Sequence, residues 1–131
     1  MRRRLVLLAA FTALAAACAP QQAAGPGQTV VVFFTEDSAR LDAPAQQAIT
    51  QAAGIARANG SAVVHVQGFA APDTGSAAFN RSLAQTRAQA VADGLTAAGV
   101  APARIRMESR GGTPYADVPR ESRRVDIVIG G

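Results

Sequence analysis

Apolar residues mark four predicted strands along the chain, in two different patterns. The stretch TVVVFF at 29–34 is apolar at almost every position, which predicts a strand covered on both faces. The stretches 104–109 and 124–129 alternate apolar with mostly charged residues, which predicts one buried and one solvent-facing side. SAVVHVQG at 61–68 completes the set. The positions predicted to face inward in the two alternating strands are Ile105, Met107, Val125, Ile127 and Ile129.

Two segments between these strands repeat apolar residues at helical spacing. Asp42 and Pro44 predict the start of the first helix, because Asp is a good N-cap and Pro fits the first turn. Asn59, followed by a glycine, predicts its end. The second helix is predicted over 76–98, with Gly99 ending it. The stripes predicted to face the sheet are Ile49, Ala52, Ala53 and Ala56 in the first helix, and Leu83, Ala90, Val91 and Leu95 in the second.

This order of elements, β-α-β-α-β-β, predicts an α/β (α+β) two-layer sandwich with a mixed sheet and both helices on one face. A length of 131 residues allows one such domain plus a short extra segment. We place the domain at residues 29–131. Aromatic residues are only 5% of the chain and Trp is absent, so the core must be built from aliphatic residues and closely packed alanines.

The N-terminus has the pattern of a targeting segment. MRRR is followed by an apolar run of 13 residues, too short to span a bilayer comfortably, and then by Cys18, the only cysteine. LAAAC resembles the lipobox of a bacterial lipoprotein, although Ala15 stands where Leu is commonest. We therefore predict a lipoprotein signal peptide at 1–17, lipidation of Cys18, and a flexible tether over 18–28. The alternative is an ordinary signal peptide with an incidental thiol.

The net charge of +4 does not indicate a nucleic-acid-binding protein. All thirteen basic residues are Arg, and three of them lie in the leader. Removal of the leader leaves ten Arg against nine acidic residues, a net charge of about +1. The remaining arginines are scattered and no basic stripe is interleaved with aromatic residues. We therefore expect no nucleic-acid partner.

The loop and helix within 68–91 hold the charged candidates for a binding site, Asp73 and Arg87. From the residues alone, Asp73 also fits a Pro-Asp-x-Gly turn in which it caps backbone amides. His65, the single histidine, is predicted to lie mid-strand on the face opposite Val64 and Val66. One histidine and one cysteine leave no metal cluster, and the serines have no evident histidine partner. We expect a non-enzymatic protein without cofactor or metal.

Three stretches resemble the OmpA-like domain, the peptidoglycan-binding module of OmpA and of the lipoprotein Pal. VFFTEDSARLDAPAQQAI resembles the opening strand, turn and first helix of that family. The closing SRRVDIVI resembles the family's Asn-Arg-Arg-Val-x-Ile, with Ser122 in place of Asn. The central helix resembles the family's Asn-x-x-Leu-Ser-x-x-Arg-Ala, with Ala84 in place of Ser. The residues in register there are Asn80, Leu83, Arg87, Ala88 and Val91.

The resemblance implies a specific ligand, the meso-diaminopimelate of the peptidoglycan stem peptide. In the family, a loop Asp takes the ammonium of its free zwitterionic end and a helical Arg takes the carboxylate, bidentately. Asn80 lies seven residues before Arg87 and so shares its helical face. By resemblance, the ligand-binding residues are Asp73, Asn80, Arg87 and Arg124.

The loop before the second helix departs from the family pattern. The family commonly has Gly-His-Thr-Asp at the strand end, whereas GFAAPD here places Ala71 at the position of the Asp and Asp73 two residues later. Two readings remain open. Either Asp73 substitutes and the protein is an outer-membrane lipoprotein, facing the periplasm, that holds the wall. In the alternative interpretation, the site is degenerate and the domain is a docking module in an envelope complex of Tol-Pal type.

We predict that Cys18→Ser moves the protein from the membrane fraction to the soluble periplasm, or leaves an uncleaved precursor, because the acyl chains that anchor it cannot be attached. Cell fractionation with labelled palmitate checks this. A wild-type protein that is soluble and carries no label would contradict the lipoprotein interpretation.

Overall fold

Four strands and two helices follow one another in the predicted order. The structure, a computed structural model, describes residues 27–71, 75–112 and 122–130. The elements are β1 (Gln28–Phe33), α1 (Ala43–Ala58), β2 (Val64–Ala70), α2 (Ala77–Ala97), a one-turn 3₁₀ helix (Pro102–Arg104), β3 (Ile105–Gly112) and β4 (Arg124–Ile129). The second strand begins three residues later than predicted and runs further, and the third extends beyond residue 109.

The strands form one mixed sheet in the order β1-β4-β2-β3. The last strand, β4, lies between β1 and β2 and is antiparallel to both, while β2 and β3 are parallel. Ile127 pairs with Val30 on one side and with Val66 on the other, so the apolar positions of three strands share one face. Both helices pack on this face and enclose the core. The predicted fold class, a two-layer α/β sandwich, is confirmed.

The first strand is not covered on both faces, contrary to the prediction. Val30 and Val32 are buried, but Val31 between them is 36% exposed. Since both helices lie on one side of the sheet, the other side remains open along β1 as along its neighbours. The long apolar run of this strand therefore fills one face only.

The third strand lies at the edge of the sheet, and this position changes the burial of its apolar residues. Met107 pairs with Val66 and points to the helical side, yet it is 49% exposed because no strand lies beyond it. Ile105 is half-buried for the same reason. The Met107 side chain therefore points to the predicted side of the sheet, but it is not buried as predicted. On the open face, His65 lies opposite the buried valines as predicted, with Nδ1 3.8 Å from Glu108 Oε1.

The first helix has the predicted ends and the predicted buried stripe. The Asp42 carboxylate accepts a hydrogen bond from the Ala45 backbone N–H at 2.9 Å. Pro44 occupies the first turn, where its missing N–H costs no hydrogen bond, and Asn59 is the C-cap. The buried residues are Ala45, Ile49, Ala52, Ala53 and Ala56.

Near Gly68 the second helix approaches the sheet through alanines rather than through the predicted Leu83. A side chain at Gly68 of β2 would overlap the carbonyl oxygen of Ala84, so the helix backbone lies directly on the strand. This contact makes Ala84 and Ala88 the buried positions and turns Leu83 to a half-buried one. Ala90 is also half-buried, whereas the predicted Val91 and Leu95 are fully buried. The helix ends as predicted at Gly99, whose φ of +99° suits glycine.

We predict that Leu95→Ala lowers the free energy of unfolding by about 2–5 kcal/mol, because it removes a fully buried side chain and leaves a cavity. Leu83→Ala, the same chemical change on the same helix, should cost clearly less because that side chain is only half-buried. Denaturant melts of the two variants check the ranking. An equal or larger loss at Leu83 would show that the helix is rotated from the orientation described.

Candidate functional site

Arg87 is the largest fully buried side chain described, and its charge is held by backbone carbonyl groups. Its Nε donates a hydrogen bond to the Ser38 carbonyl at 2.8 Å, Nη2 donates to the Thr35 carbonyl at 3.0 Å, and Nη1 donates to the Phe69 carbonyl at 3.1 Å. The guanidinium carbon also lies 5.3 Å from the centre of the Phe34 ring. Helix α2, the end of β2 and the loop after β1 therefore meet at this one side chain.

The surroundings of Arg87 disfavour its charge without removing it. Burial lowers the pKa of Arg87 to about 10, the nearby charge of Arg123 lowers this pKa as well, and the carboxylate of Asp37 opposes both effects. A pKa of about 10 lies well above neutral pH, so the group remains a cation. One further arginine, Arg123, and one aspartate, Asp37, thus lie near this cation.

The guanidinium retains hydrogen-bonding capacity. An arginine side chain has five N–H groups, and the three contacts with the protein use one on Nε and one on each Nη. The contacts with described residues therefore leave one N–H on each Nη. A guanidinium can offer two N–H groups to the two oxygens of a carboxylate.

Asn80, seven residues before Arg87 on the same helical face, adds an acceptor without a partner. Its side chain is only 3% exposed, and its Oδ1 is buried with no hydrogen-bond donor. Buried polar atoms are nearly always paired in folded proteins, so an orphaned one calls for a specific explanation. The residue lies in the first turn of α2, which Ser76 caps by accepting a hydrogen bond from the Phe79 N–H at 3.1 Å.

The two closing arginines lie on opposite faces of the sheet. Arg124 is on the open face, where its guanidinium carbon lies 4.2 Å from the centre of the Phe69 ring and its Nε is 3.0 Å from the Asp126 carboxylate. Arg123 lies on the helical side, close enough to affect the pKa of Arg87, and its Nε is buried without an acceptor. The structure therefore places Arg123 beside Arg87 and keeps Arg124, the predicted ligand-binding residue, on the other side of the sheet.

The face of the sheet on which Arg123 lies could be predicted from the strand alternation. In β4 the odd-numbered residues, such as Val125, face the helices, and Arg123 continues the same parity. Sequence reasoning also did not single out Asp37, since no pattern in the chain connects a turn after β1 with a residue on α2.

Other predicted residues lie outside the described part of the chain. Asp73 is among them, so its role beside Arg87 remains a prediction, as do the lipidation of Cys18 and the leader. The predicted tether lies outside the described residues as far as residue 26, but its last residue, Gln28, is the first residue of β1. Within the described residues, no helix combines the length and hydropathy needed to cross a bilayer. The same residues do not bring three or more His, Cys, Asp or Glu side chains together in a group that could hold a metal ion.

Comparison with known proteins identifies the domain. The model of the OmpA family matches residues 33–124, which is most of the chain. The chain belongs to the OmpA family. The expectation drawn from the sequence resemblance is thereby confirmed at the level of the family.

Three known proteins illustrate the similarity of this chain to others that contain the domain. Outer membrane protein 40 of Porphyromonas gingivalis is 38% identical over 81 residues, 62% of this chain and only 21% of the relative's length. The peptidoglycan-associated lipoprotein of Burkholderia pseudomallei is 28% identical, with a TM-score of 0.70 over 76% of this chain and 88% of the other. The C-terminal domain of Helicobacter pylori MotB is 26% identical, with a TM-score of 0.67 over 79% of this chain and 84% of the other.

We predict that Arg87→Lys destabilises the domain, by about 1.5–3 kcal/mol for each charge-assisted hydrogen bond lost. An ammonium cannot reproduce the planar arrangement that reaches three carbonyl groups. Arg104→Lys is the matched control. Arg104 also donates to three backbone carbonyls, those of Ala56, Asn59 and Ala62, but it is only half-buried.

Chemical denaturation compares the two variants. Water can replace part of what Arg104 loses, so the loss at Arg87 should be the larger. An Arg87→Lys variant within about 0.5 kcal/mol of wild type, the usual range for surface changes, would contradict the structural role assigned to this residue.

Proposed function

We propose that this protein is a non-enzymatic outer-membrane lipoprotein that binds peptidoglycan non-covalently through the diaminopimelate of its stem peptide. The observation that carries the proposal is a buried cation and a buried acceptor without a partner on the same face of α2. The cation is Arg87, whose hydrogen bonds to described residues use three of its five N–H groups, and the acceptor is the Oδ1 of Asn80. Such groups are costly in a folded protein unless a ligand satisfies them.

The chemistry of the free end of diaminopimelate matches these groups. Its carboxylate needs two donors, which Arg87 has left, and the electropositive N-terminus of α2 favours an anion nearby. Its ammonium needs acceptors, for which we propose Asp73 and the Oδ1 of Asn80. Arg124 lies on the other face of the sheet, and its part in this proposal is to pack against Phe69, the residue whose carbonyl binds Arg87.

The proposed attachment to the outer membrane rests on Cys18 and on the relatives. One relative is named a peptidoglycan-associated lipoprotein and another an outer membrane protein, and these names support a place at the outer membrane. The nine residues between Cys18 and β1 reach at most about 30–32 Å when extended. The domain would therefore stay close to the periplasmic surface of the membrane.

A second function is favoured by the burial of Arg87 itself. Its side chain is fully enclosed, and three of its five N–H groups are already bound to the protein's own backbone. With the altered loop before α2, this also fits a domain that has lost its small ligand and serves as a docking module in an envelope complex. Binding to the cell wall distinguishes the two functions.

We predict that the full chain, purified in detergent, sediments with insoluble peptidoglycan sacculi and is released by free meso-diaminopimelate. Arg87→Ala should abolish sedimentation, since losing one charge-assisted contact weakens binding by about 10- to 150-fold. Asp73→Ala should weaken it.

Arg104→Ala serves as the control for lost stability, because it also removes a carbonyl-bound arginine but lies at the far end of α1. It should bind as wild type at a temperature where all variants are folded by circular dichroism. A wild-type protein that does not sediment would support the docking module instead.

A further inference from the structure

The chain enters the domain at the end that is remote from Arg87. Ile129 pairs with Gln28 on one side and with Val64 on the other, so β1 and β2 begin where β4 finishes. Ile105 pairs with Val64 and places the start of β3 at the same edge. We call this edge of the sheet, with the adjoining ends of both helices, the entry end. Arg87 binds carbonyl groups where β1 and β2 finish, about 20 Å away along the 7 residues of β2.

The entry end carries arginine side chains and no acidic side chain. Arg57 lies in the last turn of α1, Arg104 ends the 3₁₀ helix, and Arg106 follows in β3. No aspartate or glutamate occurs in the described segments that build this end, which are 27–32, 54–63, 94–107 and 127–130. The charged side chains of these segments are therefore all positive.

Two of these arginines are available to a partner. Arg57 is exposed, lies against Gly99 at the end of α2, and forms no hydrogen bond or ion pair within the described residues. Arg106 is also exposed, and its Nη1 donates to the Ala103 carbonyl at 2.7 Å, which directs the side chain toward the entry end. Arg104, in contrast, is committed to three backbone carbonyl groups.

Exposed apolar groups lie between these cations. Val63, just before β2, is 39% exposed, and the neighbouring Ala101, Pro102 and Ala103 are exposed as well. Arginine combines an apolar stem with a guanidinium that binds phosphate through paired N–H groups. A surface of arginines and small apolar groups therefore suits the boundary between lipid headgroups and acyl chains.

The chain before β1 keeps this surface close to the proposed anchor. A side chain at Gly27 would overlap the carbonyl oxygen of Gly130, and the Gly130 N–H donates to the Val63 carbonyl at 3.0 Å, so the chain enters beside the exposed valine. Nine residues separate Cys18 from β1 and reach at most about 30–32 Å. A tethered surface meets its partner at a high effective concentration, so a few weak contacts are enough for binding.

We propose that the entry end is a lipid-binding surface, on which Arg57 and Arg106 bind the phosphate groups of anionic phospholipids in the leaflet that anchors Cys18. The inference rests on the proposed function, because it needs a lipidated Cys18, and it deepens that function by giving the domain an orientation. When the entry end lies on the membrane, the end that holds Arg87 faces away from it, toward the peptidoglycan.

The test uses the full chain as isolated after lipidation, inserted into vesicles by its anchor. Cys18 is the only cysteine and its sulfur then carries the lipid, so a cysteine introduced elsewhere can be labelled selectively. Ser61→Cys places a fluorophore at the entry end, and Ala78→Cys places it in the first turn of α2 at the opposite end. Both positions are exposed. Quenching by a nitroxide on the lipid headgroup reports which end touches the membrane.

Two double variants remove the same charge from opposite ends of the domain. Arg57→Gln with Arg106→Gln removes the proposed lipid contacts. Arg40→Gln with Arg81→Gln is the matched control, because these exposed arginines lie at the end remote from the tether. Circular dichroism confirms that both variants are folded.

In vesicles of equal parts phosphatidylcholine and phosphatidylglycerol, the label at Ser61 should be quenched and the label at Ala78 should not. Loss of both Arg57 and Arg106 should shift the ratio of docked to free domain by about 30-fold, since an arginine near an anionic surface contributes about fivefold. The control should shift this ratio by less than about twofold, because its charges lie beyond the screening length. High salt, or phosphatidylcholine alone, should release the domain while the anchor stays inserted.

The other outcomes separate this inference from the proposed function. Equal quenching at the two labels, no dependence on phosphatidylglycerol, or equal losses in the two double variants would each overturn the inference and leave sedimentation with sacculi unaffected. Docking by a protein that does not sediment with sacculi would support the inference and overturn peptidoglycan binding. A protein isolated without acyl chains on Cys18 would overturn the inference and the proposed anchoring together.

Discussion

The Arg87 guanidinium joins three parts of the fold that are far apart in the chain, and the geometry of the site depends on it. Its hydrogen bonds reach the end of β2 and two carbonyls of the turn after β1, from a side chain rooted in α2. A buried cation without such partners would be strongly destabilising. The backbone carbonyls make the burial tolerable, and in return the cation fixes the backbone that carries them.

The close contact between α2 and β2 is what places Arg87 in this position. Gly68 has no side chain, and Ala84 and Ala88 on the helix are small, so the two backbones lie against each other. A larger residue at any of these positions would lift the helix and withdraw the guanidinium from the carbonyls. The alanine-rich composition, which at first sight offers a weak core, permits this short distance between helix and sheet.

The polar groups around Arg87 are only partly satisfied, in contrast to the rest of the described core. Asn80 Oδ1 and Arg123 Nε are buried without partners, although native structures pair nearly all such atoms. Folded proteins accept unsatisfied or strained groups mainly at functional sites. The left-handed Asp37 lies in the turn held by the same cation. The unpaired atoms and the left-handed residue therefore belong to one region of the domain, the surroundings of Arg87.

The order of elements, the helix caps and the inward faces of β2 and β4 followed from the sequence, because alternation, caps and breakers are local properties of the chain. The family followed too, since Asn80, Arg87 and the closing arginines keep their spacing. The exposure of individual side chains did not follow from the sequence. Met107 and Val31 are exposed because of the place of their strands in the sheet, and Leu83 is half-buried because Gly68 sets the rotation of α2. Only the tertiary structure could show that Arg123 and Asp37 lie beside Arg87, since a contact between a turn, a strand end and a helix is decided by packing at long range.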